Sequence, residues 1–112
     1  MSLVAEPIDG IFKALSDPTR RRVLERLSRS AASVSELAEP YDMALPSFLQ
    51  HLRVLEDSGL VTSTKTGRVR TYQLDAANMR TAEDWLARQR LLWERRLDQL
   101  DEYLLKLKEQ QQ

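Results

Sequence analysis

The chain has 112 residues, 42% of them hydrophobic, which suffices for one small core and predicts a single domain over residues 1–112. Cysteine is absent and histidine occurs once, so disulfides, thiol redox sensing and cysteine nucleophiles are excluded, and a zinc site needing about three or four N or S ligands has no donor set. The 17 basic residues balance 17 acidic ones, so net charge gives no general attraction to nucleic acid and only the distribution of charge can supply one.

Residues Met1 to Glu6 are expected to be frayed. No apolar run is long enough to span a bilayer, and MSLVAEPIDG lacks a basic start leading into an apolar block; neither a membrane span nor an export signal is expected, which places the protein in the cytoplasm. Pro7 suits a first helical turn, and Ile8, Ile11, Phe12 and Leu15 recur at helical spacing. Asp17-Pro18 then supplies an N-cap followed by proline. The second helix it opens sets Val23, Leu24 and Leu27 inward against outward Arg21, Arg22, Arg26 and Arg29, and ends near Ser28 to Ser30. Ser33-Val34-Ser35-Glu36 has capping-box spacing and predicts a short third helix, anchored by Leu37 and ended by Pro40. Tyr41-Asp42-Met43 turns into a fourth helix that Pro46 starts and Ser58-Gly59 stops. On it Leu45, Phe48, Leu52 and Leu55 share one face, while Pro46, Gln50, Arg53 and Asp57 centre the opposite one with Ser47 and Val54 beside them.

The run VTSTKTGRVRTYQL that follows reads as a hairpin of two β-prone segments turning at Thr66-Gly67. Asp75 to Arg80 reads as a connection. Thr81 with Asp84 begins a long helix to about Lys108, in which Leu86, Trp93, Leu97, Leu100, Leu104 and Leu107 recur at alternating steps of roughly three and four residues, with Arg90 interrupting the seam. Gln110 to Gln112 are expected to be disordered. Positive charge gathers at Arg20 to Arg29 and at Lys65, Arg68 and Arg70; acidic residues gather after Thr81 and around Glu36 to Asp42.

The run His51-Leu52-Arg53-Val54-Leu55, then Ser58-Gly59-Leu60-Val61, then Lys65, Gly67, Arg68 and Tyr72, preceded by Ala14-Leu15-Ser16-Asp17-Pro18-Thr19-Arg20, resembles the winged helix-turn-helix repressors of the ArsR family over roughly Ile8 to Leu74. The fold class is accordingly mainly α with a small β-hairpin. A helix-turn-helix is expected at about 33–58, a wing at about 61–74 and a dimerisation helix at about 81–108. The resemblance implies a homodimer joined by its N- and C-terminal helices, binding double-stranded DNA at a palindromic operator as a repressor. The family's metal sensors place cysteines in a run beginning Glu-Leu-Cys; here the matching run is Glu36-Leu37-Ala38, so the resemblance is to the branch without these sites. The chain also departs at Ala44, Leu45 and Leu49, where members commonly carry serine, glutamine and serine; there other side chains read the operator, or apolar contacts with thymine methyls take over.

The candidate DNA-binding residues are Ser47, Gln50, His51 and Arg53 of the fourth helix and Lys65, Arg68 and Arg70 of the wing. Gln bonds adenine bidentately, Arg bonds guanine or holds phosphate, and Ser serves base or backbone. His51 is either a phosphate contact or a histidine hydrogen-bonded within the domain. Strand alternation would put Arg68 and Arg70 on one side, aimed at backbone or minor groove. Arg20 and Arg22 match arginines common in the family, and Glu25 is in helical reach of Arg21 or Arg22 as an ion-pair partner. The candidate dimer contacts are Ile8, Ile11 and Phe12 with Trp85, Leu86, Trp93, Leu97, Leu100 and Leu104. Trp85 and Trp93 fit a dimer core better than the alternative, a pocket for an unknown small-molecule effector. No cofactor or metal is expected. Without paired carboxylates, a phosphate loop or a nucleophile within reach of a base, neither is an enzyme. The rival reading is a winged-helix protein-interaction module docking through Leu45, Phe48 and Leu49, distinguishable because an apolar complex resists salt that would dissolve a Lys/Arg-driven DNA complex.

Overall fold

The computed structural model describes residues 6–111; the fraying expected of Met1 to Ala5 and the disorder expected of Gln112 lie outside the described residues. Glu6, expected to fray, is the N-cap of the first helix, and its amide donates to Asp9 Oδ2 at 2.8 Å. Helix α1 spans Pro7–Leu15, α2 Pro18–Leu27, α3 Val34–Ala38, α4 Leu45–Asp57 and α5 Met79–Gln110; strands β1, β2 and β3 span Ala32–Ser33, Val61–Thr66 and Val69–Leu74. The chain divides into two compact units, one up to Ala82 and one from Glu83 onward, each described by itself below. No helix among the described residues is long and apolar enough to cross a membrane.

The helix boundaries follow from local chemistry. Asp17 caps α2 by accepting from the Arg20 amide at 3.1 Å, and Pro18 occupies a first-turn position where no amide is needed. Ser33 and Glu36 close the capping box of α3, with Glu36 N donating to Ser33 Oγ at 3.2 Å and Ser33 N donating to Glu36 Oε1 at 3.3 Å. The turn from α3 into α4 is held by the Tyr41 amide donating to Ala38 O and by the Tyr41 ring stacked on Phe48 at 5.5 Å. At the end of α4, Gly59 takes φ +78°, the left-handed conformation that stops a helix. A Cβ there would also meet the Asn78 side chain, whose Nδ2 donates to Gly59 O at 2.8 Å. Asn78 thus ties the exit of α4 to the start of α5.

Helix α5 begins at Met79, two residues before the predicted Thr81, and runs through Gln110, so Gln110 is helical rather than disordered. The hairpin also differs by a residue. Thr66 pairs with Val69, leaving Gly67-Arg68 as the two turn residues. Gly67 is at φ +63° and no other residue of the turn is positive, the pattern of a turn that demands glycine first. Arg68 therefore sits in the turn, where strand alternation does not govern its side chain. A strand that sequence patterning does not reveal completes the sheet: β1 pairs antiparallel to β3, with Ala32 opposite Tyr72, giving the order β1-β3-β2.

The core of the first unit joins Ile11 and Ala14 of α1, Val23, Leu24 and Leu27 of α2, Leu37, Phe48, Leu52, Leu55, Leu60, Val61, Tyr72 and Ala82. Burying eight or so large apolar side chains, at about 1.5–3 kcal/mol each, is the main stabilising term for so small a unit. Ile8 and Ile11, expected at a dimer interface, are buried within the chain at 8% and 2% exposure; among the α1 candidates only Phe12 keeps an intermediate exposure. In the second unit Trp85, Leu86, Leu92, Trp93, Leu97, Leu100, Tyr103 and Leu104 are all exposed.

Candidate nucleic-acid interface

Phe48, Leu52 and Leu55 are wholly buried and fix α4 to the core by one face. The helical period then forces Pro46, Ser47, Gln50, Arg53 and Asp57 outward, and all five are exposed. Leu45, expected on the inner face with Phe48, Leu52 and Leu55, is 53% exposed, and with Leu49 at 41% it adds apolar surface to this outward face. A 13-residue helix is about 20 Å long and, with side chains, about 10–12 Å wide. Its N-terminal half presents a mixture of hydroxyl, amide, guanidinium and branched aliphatic groups, with no acidic side chain before Glu56.

His51 is half-buried and already engaged. Its Nδ1 lies 3.1 Å from Arg20 Nη1 and 3.8 Å from Asp17 Oδ2. Arginine offers only donors, so at the shorter contact Nδ1 is the acceptor and the ring proton sits on Nε2; the same Nδ1 cannot at once donate to Asp17. Arg20 further donates from Nε to Ala14 O at 2.9 Å and from Nη2 to Lys13 O at 2.8 Å. These are carbonyls of the last turn of α1, the end of a helix that favours a cation; Lys13 O also accepts from the Ser16 amide and hydroxyl. One guanidinium therefore joins the end of α1, the start of α2 and the middle of α4. Burial pushes the Asp17 carboxyl up, but the Arg20 amide, His51, the Arg20 guanidinium and the Thr19 amide outweigh it, and its pKa falls below the ordinary 3.8.

Other arginines of α2 also depart from expectation. Neither Arg21 nor Arg22 pairs with Glu25 among the described residues; Arg21 donates to Leu15 O at 2.7 Å, and the ion pair is Arg26 with Glu36 at 3.6 Å.

In the wing, Lys65 and Arg70 stand directly opposite across β2 and β3. Like charges so placed repel, a cost that an approaching phosphate would relieve. Neither Lys65 nor Arg68 has an ion-pair partner among the described residues. Arg70 is held: its Nη1 donates to Ser63 Oγ at 2.8 Å, and Ser63 Oγ donates to Glu56 Oε1 at 3.1 Å. The Tyr72 phenol faces the same carboxylate, and burial, then the charge and hydrogen bonding of Glu56, raise its pKa above the ordinary 10.0. Of the candidates the structure brings Arg53 of α4 and Arg70 of the wing together, around a cleft that Leu49, Glu56, Asp57 and Tyr72 also line; Ser47, Gln50, His51, Lys65 and Arg68 lie outside that lining. It keeps the α5 candidates in the other unit.

Sequence reasoning passed over Glu56, Ser63 and Arg20 as site residues. The signal for Glu56 lay in its helical position, three residues beyond Arg53 and seven beyond Leu49 on the same side. Nothing local marks Ser63 or the reach of Arg20 across to His51.

A family model described as a helix-turn-helix domain matches residues 15–64. The chain is 39% identical to the HTH-type transcriptional regulator Rv2034 of Mycobacterium tuberculosis over 79 residues, 70% of this chain and 73% of the relative. It is 28% identical to the transcriptional repressor SdpR of Bacillus subtilis over 70% of this chain and 88% of that one. Among solved structures, the ArsR family transcriptional regulator RHA00566 is 55% identical with a TM-score of 0.78, covering 84% of this chain and 97% of its own. An ArsR-like transcriptional regulator from Rhodococcus sp. RHA1 matches with the same TM-score at 33% identity, over 86% of this chain and 88% of its own. The two helices, the turn between them, the wing and these relatives lead to one assignment: the chain belongs to the ArsR family of winged helix-turn-helix transcriptional regulators, DNA-binding proteins and not enzymes.

Proposed function

We propose that the protein is a homodimeric, metal-independent transcriptional repressor of a palindromic operator. Each protomer lays α4 in a major groove, about 12 Å wide and matched to a helix, while the wing grips flanking backbone. The observation that carries this reading is the exposed face of Ser47, Gln50 and Arg53 beside a wing whose Lys65 and Arg70 are opposed like charges. Gln50 and Arg53 read bases, Ser47 supports them, and Lys65, Arg68 and Arg70 bind phosphate. Through Nε2, His51 remains a further phosphate donor.

The homodimer is supported by the second unit. A stripe of Leu86, Trp93, Leu97, Leu100 and Leu104 at heptad spacing is exposed along one helix, and a second copy covers it with the same stripe. Trp85 widens that face and joins the same contact. Metal independence is supported by the donor set, which holds no cysteine and one histidine whose Nδ1 is taken by Arg20. Repression is supported by the name of the Bacillus subtilis relative, a transcriptional repressor.

The exposed Leu45 and Leu49 favour a second reading, an apolar protein-docking helix. Capture of fragmented genomic DNA on purified protein, with a chelator present and at moderate salt, followed by sequencing, separates the two. Enrichment of one palindrome supports the operator reading. Recovery of nothing above background transfers the weight to the docking reading.

A further inference from the structure

We propose that Glu56, though it opposes DNA by its charge, is a positioning residue that sets the wing against α4 so that Arg70 meets backbone phosphate. The inference rests on the DNA-binding reading above and names a part of it that neither the motif nor the relatives assign. The carboxylate lies on α4 three residues past Arg53, and it collects the polar groups of both wing strands. Ser63 of β2 donates to its Oε1 at 3.1 Å. Tyr72 of β3, directly opposite Ser63 in the register, turns its phenol to the same carboxylate. Arg70, also of β3, is held by Ser63 Oγ at 2.8 Å and thereby indirectly by Glu56. Between these groups runs the cleft of about 400 Å³ lined by Leu49, Arg53, Glu56, Asp57, Arg70 and Tyr72.

Two opposite consequences can be drawn for removing this carboxylate, and they differ in sign. Long-range electrostatics alone says that deleting a negative charge beside two arginines in a DNA-facing cleft strengthens binding. The hydrogen-bond geometry says the reverse. Without Glu56, Ser63 Oγ loses its acceptor on α4, the wing loses its polar tie to the recognition helix, and the hydroxyl that orients the Arg70 guanidinium is no longer fixed in place. A directed contact of that kind outweighs a diffuse repulsion screened within about 8–10 Å in ordinary buffer. Ser63 is the relay, and its substitution leaves every formal charge in place.

The test uses the full-length protein and an operator recovered by genomic capture, with affinity read by fluorescence anisotropy and backbone contact by hydroxyl-radical footprinting. Glu56→Ala is expected to bind about tenfold more weakly, the scale of one lost charge-assisted contact. Ser63→Ala is expected to lose a similar factor, Ser63→Thr to restore it, and in both weakened variants footprint protection is lost at the wing-contacted flanks while that of the major groove persists. Binding by Glu56→Ala as tight as wild type or tighter, or protection lost uniformly along the site, would overturn the proposal. If Glu56→Ala does not fold, Ser63→Ala and Ser63→Thr decide the question, because a uniform or absent effect in that pair overturns it equally. Failure of wild-type protein to bind any recovered site would instead sink the DNA-binding reading itself.

Discussion

Replacing Arg20 with alanine removes three contacts at once: Nε to Ala14 O at 2.9 Å, Nη2 to Lys13 O at 2.8 Å and Nη1 to His51 Nδ1 at 3.1 Å. Hydrogen bonds involving a charged group are worth roughly 1.5–3 kcal/mol each when sheltered, and this cluster is only partly buried, so about 1 kcal/mol each is the appropriate scale. The sum is about 3 kcal/mol, some of it the cost of leaving the α1 carbonyls to water. At about 4–6 °C per kcal/mol for a domain near this size, the midpoint should fall by roughly 12–18 °C. Arg20→Lys keeps the charge but cannot fork to two carbonyls and a ring, so it should recover less than about half of the loss. Urea and thermal unfolding followed by circular dichroism measure this, at one fixed protein concentration because a dimer makes the midpoint concentration-dependent. A loss under about 0.5 kcal/mol for Arg20→Ala, or a lysine variant indistinguishable from wild type, would show that the guanidinium does not hold α1, α2 and α4 together.

The folded pKa of Asp17 is depressed, so its ionised form contributes stability that is present above the unfolded pKa and is lost as pH falls through the folded one. Asn caps a helix about as well as Asp, so Asp17→Asn isolates the charge; its destabilisation should be clear at about pH 7 and vanish by about pH 2 in unfolding curves. Lys65→Ala with Arg68→Ala should weaken binding nearly uniformly across DNA sequences and lower the salt slope of log K by about 2, whereas Gln50→Ala should relax preference at one base pair by about 1–3 kcal/mol; anisotropy against a panel of single-base variants separates these. Glu at both Leu97 and Leu104 should drive the protein to monomer in sedimentation and abolish operator binding, while leaving the circular dichroism of the first unit's fold intact.

What was legible in the sequence was what local chemistry decides. Pro46 and Ser58-Gly59 bound the recognition helix because one suits a first turn and the other accepts a left-handed exit, and both are where the structure has them. The Ser33-Glu36 box likewise starts its helix. What was missed depends on partners far away in the chain. Ala32-Ser33 is a strand only because β3 lies beside it. Arg20 reaches His51 across 31 positions, and Glu56 finds Ser63 only once the hairpin folds back on α4. The hairpin turn slipped by one residue because Gly67 fits either central position by composition, and only the Thr66 to Val69 pairing fixes it as the first. Ile8 and Ile11 show the same limit. Helical spacing marks them as an inner stripe but cannot say whether a neighbour in the same chain or a second copy covers them, and the same chain does.

The most direct measurement of the central claim is methylation protection at guanine N7, which lies in the major groove, on an operator recovered by genomic capture. The account predicts two protected clusters about one helical turn, roughly 10 base pairs, apart, both lost when Arg53 and Gln50 are replaced together by alanine. Binding that leaves every guanine N7 as reactive as in free DNA would contradict the placement of α4 in the major groove.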